Sequence, residues 1–157
     1  MLPGMCLMLY IASDTPLPLL PPGKQNPMFS ISPLPRHATA VTRQFAKPYI
    51  YLAGSHTGCG CGFEDDQDRA GVDLGIDAAE IAAGRESRRQ LAMYLRGALA
   101  GRDSLEVFVC WAGDESKPTH RRVELTPEPL IEEHTWFLGD NFEPEFIRIV
   151  PGGATGQ

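Results

Sequence analysis

DAAEIAAGRESRRQLAMYLRGALAGRDSLEVFVCW, residues 77–111, holds a whole helix and a whole strand side by side. Asp77 is a side-chain acceptor suited to a helix N-cap, and Glu80 three residues later completes a capping-box-like pair. Ile81, Leu91, Tyr94, Leu95, Ala98 and Leu99 fall on one stripe at helical spacing. Gly101 suits a left-handed C-terminal cap, so the main helix is expected over about 77–101. Arg85, Arg88, Arg89 and Arg96 then fall on its polar face. Beyond Gly101 the period changes. Leu105 to Trp111 is a continuous run of β-formers, as expected for a central strand covered on both sides.

Outward from this pair the chain is mostly β. Cys6 to Ala12 (CLMLYIA) is another continuous apolar run and reads as a buried strand. Tyr49 to Ala53, Arg122 to Leu125, Thr135 to Leu138 and Phe146 to Val150 read as further strands, with a short one at Met28 to Ile31. Gly139-Asp140-Asn141 signals a turn. Ala38 to Phe45 suits one or two helical turns. Thr126-Pro127 is an N-cap followed by proline, so Glu128 to Glu133 is expected as a short second helix. The stretch 15–35 is a proline-rich connection, 64–76 an acidic loop and 152–157 a flexible tail. Strands before, between and after one main helix make a single α+β domain, 1–157, with a mixed or antiparallel sheet. Pattern alone leaves the strand order open.

Composition narrows the function. The 157 residues are 43% hydrophobic and 22% charged, enough for a core without metal or disulfide staples. The net charge of −6 repels phosphate backbones and gives no attraction to anionic lipid, so neither nucleic acid nor membrane is an expected partner. No apolar run reaches the roughly 20 residues that span a bilayer. Met1 to Ala12 lacks a basic lead and reads as strand rather than signal peptide, which points to the cytoplasm and reduced thiols. Met5-Cys6 offers an alternative start that would expose Cys6 as an N-terminal nucleophile, although its apolar surroundings favour a core strand cysteine.

The segment Ser55 to Phe63 is where chemistry is expected. Cys59 and Cys61, two residues apart in an extended chain, share a face, with glycines on the other. Two such thiols can converge on one soft ion, and His56 can join if Thr57-Gly58 turns. Zinc needs four ligands, or three and an open position. Cys59, Cys61 and His56 supply three, and Cys6 or, in its place, Cys110 a further one. Zinc is the leading metal; copper(I) also suits paired thiolates, and the cysteine runs of iron–sulfur proteins are absent. The competing view is a tight glycine loop carrying two free thiols.

Two other classes stay open. A thiol-dependent enzyme or redox protein would use Cys59 or Cys61, with His56 as base and glycine N–H groups facing an anion. The acidic run Glu64, Asp65, Asp66 and Asp68 would work against it by raising the thiol pKa. A Cys59–Cys61 disulfide would close a small, strained ring. The third class is a non-catalytic interaction module or homo-oligomer. No catalytic residue and no small-molecule ligand can be named. A phosphate loop fails for want of a following Lys-Ser/Thr pair. Asp66, Asp68, Gly71 and Asp77 match only part of a calcium loop. His37, His120 and His134 stand alone.

Met5-Cys6-Leu7 leading to Tyr10-Ile11-Ala12-Ser13-Asp14, Gly54-Ser55-His56 leading to Gly58-Cys59-Gly60-Cys61-Gly62-Phe63, Cys110-Trp111 and Glu124-Leu125-Thr126-Pro127 together resemble a family of uncharacterised bacterial proteins. The resemblance spans most of the chain. It implies a bacterial, cytoplasmic setting and no particular reaction.

Overall fold

The structure, a computed structural model, describes residues 6–21, 29–63, 78–119, 121–128 and 143–152. Among these, the strands are β1 (Leu7–Ser13), β2 (Phe29–Pro33), β3 (Tyr49–Ser55), β4 (Leu105–Trp111), β5 (Arg121–Leu125) and β6 (Glu145–Ile149). The helix α1 runs Ala78–Ala98, and 3-10 turns cover Arg36–Gln44 and Gly60–Phe63. The strands form one sheet in the order β2-β3-β1-β4-β6-β5. Every neighbouring pair is antiparallel except β5 and β6, so the sheet is mixed and the fold is α+β.

The central strands β1 and β4 are the two continuous apolar runs. Their side chains alternate between the two faces, and both faces are covered. Leu7, Leu9 and Ile11 of β1 and Leu105, Val107 and Val109 of β4 pack beneath α1, against Leu91, Ala92 and Leu95. Tyr10 of β1 and Phe108 and Cys110 of β4 point the other way, to a smaller core closed by Ala38 and Val41 of the 3-10 segment. The first of these two layers carries the site.

The structure differs from the pattern reading at Arg88 and Cys6. Arg88 is 2% exposed and joins the buried side of α1 with Gly84, Ser87 and Leu91. Its place four residues after Gly84 and three before Leu91 puts it on the packed stripe despite its charge. Cys6 is half-buried and lies just before β1 rather than inside it. The helical turns expected over Ala38–Phe45 form as a 3-10 segment, Arg36–Gln44. Glu80, expected to pair with Asp77, places its carboxylate on His56. Gly101 does adopt a left-handed conformation, φ +76°, just past the helix. Asp77, the acidic loop with its partial calcium pattern, Thr135–Leu138, Gly139-Asp140-Asn141, most of Glu128–Glu133, His120, His134 and Met1–Met5 lie outside the described residues.

Candidate metal centre

Strand register brings the cysteines together. β1 and β3 are antiparallel, with Leu9 opposite Ala53. Two residues further along, that register sets Leu7 opposite Ser55. The start of β1 and the chain leaving β3 therefore meet at one end of the sheet. Cys6 is fixed there through its backbone, whose carbonyl accepts from Ala112 N–H at 2.8 Å beside the end of β4.

The chain then turns back on itself. Gly58 N–H donates to Ser55 C=O at 2.9 Å, and Ser55 N–H donates to Cys59 C=O at 2.8 Å. Gly58 has φ +91°, a conformation that a side chain would strain. Ser55 Oγ sits inside the loop. It donates to Cys59 C=O at 2.6 Å and accepts from the N–H groups of Thr57 at 3.2 Å and Gly62 at 3.1 Å. One buried hydroxyl thus satisfies three backbone groups, and it sets the loop's shape. In the sequence, Ser55 stands out only as the start of the segment.

After the turn, Gly60 presses on β1. A Cβ there would stand 2.8 Å from Leu7 C=O, so only glycine permits this approach. Phe63 closes the segment fully buried under α1, with its ring centroid 6.2 Å from that of Phe29. Burial of one such ring stabilises by about 2–3 kcal/mol. The cysteines thus ride on a loop held at both ends.

The outcome is a cluster of three sulfurs. The Sγ atoms of Cys6, Cys59 and Cys61 all lie within 4.8 Å of one another, each half-buried. Cys59 and Cys61 converge through a 3-10 turn over Gly60–Phe63, not through the strand alternation expected. Backbone donors face the sulfurs: Leu7 N–H donates to Cys61 Sγ at 3.1 Å, and Cys61 N–H to Cys59 Sγ at 3.5 Å. Thr57 Oγ1 lies 3.6 Å from Cys59 Sγ.

Those contacts drive the two thiols in opposite directions. The Cys61 thiol donating to Cys59 lowers the Cys59 pKa to about 5, against the opposing cost of burial. The Cys61 backbone N–H, Thr57 and Cys6 add to the lowering. Cys61 is driven the other way, well above the usual thiol range, because its proton is shared with Cys59. Cys59 is thus driven toward the thiolate and Cys61 toward the thiol. The acidic run 64–68, expected to raise the thiols, lies outside the described residues.

His56 and Cys110 stand apart from the sulfurs. The Thr57-Gly58 turn that would let His56 join is present, yet its ring faces α1. Nδ1 is 3.0 Å from Ser87 Oγ and Nε2 is 2.6 Å from Glu80 Oε1. Its backbone N–H also donates to Ser87 Oγ at 3.1 Å. His56 thus pins the cysteine loop to the helix. Cys110 is fully buried on the opposite face of the sheet, among Tyr10, Ala38, Val41 and Phe108. Of the two candidates for a further sulfur, Cys6 is the one that stands beside Cys59 and Cys61.

No helix among the described residues is long and apolar enough to cross a membrane. Comparison with protein-family models, curated proteins and solved structures finds no match to this chain. The functional reading therefore rests on the site itself.

Proposed function

We propose that this is a small metal-binding protein that holds one thiophilic ion, zinc first, through the thiolates of Cys6, Cys59 and Cys61. The observation that carries the reading is the meeting of three sulfurs from distant parts of the chain within 4.8 Å. Zinc–sulfur bonds of about 2.3 Å in tetrahedral geometry separate the sulfurs by about 3.8 Å. Closing the cluster therefore asks each side chain to move by no more than about 1 Å, within the range of small rotamer adjustments.

The charge balance supports the same reading. Three thiolates around a divalent ion leave one net negative charge, and the N–H groups of Leu7 and Cys61 already point at two of those sulfurs. Such outer donors orient ligands and tune the ion. A zinc ion with three protein ligands keeps a fourth position for water or an exchangeable ligand; copper(I) takes three thiolates as they stand. His56 is a positioning residue in this reading, holding the loop against α1.

Metal analysis of protein purified without a histidine tag tests the proposal. Wild type is expected to carry close to one ion per chain, and Cys59→Ser only a trace. Wild type with no more metal than Cys59→Ser would overturn it.

A further inference from the structure

The same three sulfurs support a second activity that needs no metal. We infer that Cys59 and Cys6 form a reversible disulfide on reaction with a hydroperoxide, Cys59 being the sulfur oxidised first and Cys6 the resolving thiol. Cys6 and Cys59 are 53 positions apart in the chain, yet their Sγ atoms lie within 4.8 Å of one another. Both are half-exposed, so a small oxidant can reach them.

The choice of pair follows from how each sulfur is held. Cys61 Sγ accepts from Leu7 N–H, and its side chain packs against the α1-side core. A Cys59–Cys61 bond would close a small ring across Gly60. Gly60 lies so close to β1 that a Cβ on it would stand 2.8 Å from Leu7 C=O, which leaves little room for the backbone to bend into such a ring. Cys6 lies before the first residue of β1, on a piece of chain that does not need to move past the core. Cys59 is the sulfur that the donors surround: Cys61 N–H and Thr57 Oγ1 both face it.

The chemistry balances in two steps. The Cys59 thiolate attacks the terminal oxygen of a hydroperoxide. A sulfur–oxygen bond forms, the oxygen–oxygen bond breaks, and the alkoxide or hydroxide that leaves takes a proton. Sulfur is oxidised by two electrons to a sulfenic acid, and the peroxide is reduced by the same two. The Cys6 thiol then attacks Cys59 sulfur. The sulfur–sulfur bond forms, and the hydroxyl leaves with the Cys6 proton as water. In sum, two thiols and one hydroperoxide give one disulfide, one alcohol or water, and one further water. A dithiol reductant reverses the bond by exchange.

The consequence for metal rests on the proposed function. Oxidation removes two of three ligands, so a loaded protein would release its ion.

The experiment uses full-length protein, reduced and stripped of metal with a chelator, then treated with one equivalent of hydrogen peroxide. Two of the four thiols should disappear, and non-reducing peptide mapping should show Cys6 joined to Cys59. Dithiothreitol should restore both thiols. Cys6→Ser should stop at a sulfenic acid on Cys59, trapped by a dimedone-type reagent, while Cys110→Ser should behave as wild type. A bond joining Cys59 to Cys61 or Cys6 to Cys61, oxidation straight to sulfinic acid, or no thiol loss would overturn the inference. Zinc titration of the reduced protein is read separately. Protein that binds zinc but forms no disulfide defeats only this inference; protein that forms the disulfide but never binds zinc defeats only the metal reading.

Discussion

Cys59 and Cys110 are the same residue type beside the same sheet, and their surroundings drive them in opposite directions. Cys110 is enclosed by Tyr10, Ala38, Val41 and Phe108, and burial pushes its thiol well above the usual range, with Glu115 and Asp114 adding to the effect. Cys59 also loses solvent, but the Cys61 thiol, the Cys61 N–H and Thr57 stand around it and outweigh that cost. Desolvation alone makes a cysteine an inert piece of core; desolvation with donors makes it an anion. The donors exist because the cysteine loop is bent back onto β1 and pinned at Phe63, Ser55 and His56.

The largest contrast is in reactivity. In folded, metal-free protein at neutral pH, iodoacetamide should label Cys59 on the order of 100-fold faster than Cys110. Mass spectrometry of briefly treated protein reads the ratio. Equal rates at the two positions would erase the difference on which the comparison rests.

Phe63→Ala breaks the contrast through the scaffold. Its ring is fully buried against Phe29, so its removal should cost about 3–5 kcal/mol in denaturant unfolding. The loop should loosen with it, slowing Cys59 labelling toward that of an ordinary exposed thiol. A stable variant with unchanged labelling would show that Phe63 does not position the cluster.

The pH dependence of stability sharpens the same point. The Cys59 pKa is depressed when folded, from an ordinary 9.0 to about 5. Its contribution is complete above pH 9 and is lost as pH falls through 5. The Cys61 pKa is raised when folded, so its contribution is complete below pH 9 and is lost as pH rises above that value. The two windows meet near pH 9. The Tm of metal-free protein should therefore rise between pH 5 and 9 by more in wild type than in Cys59→Ser. Parallel curves for the two proteins would contradict the lowered Cys59 pKa.

Cys110→Ala should have the smallest effect. It removes one buried sulfur at a cost of about 1 kcal/mol, and metal content should match wild type because Cys110 faces the other layer. A loss of metal in this variant would place Cys110 at the centre after all.

Local pattern revealed most of the elements. Leu105–Trp111 was legible to the residue, because a central strand buried on both faces leaves an unbroken apolar run. The helix showed itself by its apolar stripe and its closing glycine. Strand order did not, since register is set by contacts between distant segments. The site divides in the same way. The Cys59–Cys61 pair stands out in sequence, and Gly58 announces its turn. That His56 would bind Ser87 and Glu80 could not be read, because both partners lie on a helix far along the chain. Ser87 looks like any polar helix residue, and the charge of Arg88 points to solvent although its spacing fits the buried stripe.

X-ray absorption at the zinc edge of loaded, tag-free protein tests the central claim most directly. Three sulfur neighbours at about 2.3 Å, dropping to two in Cys6→Ser, is the predicted result. A shell made of nitrogen and oxygen, or one unchanged in Cys6→Ser, would contradict a three-cysteine centre.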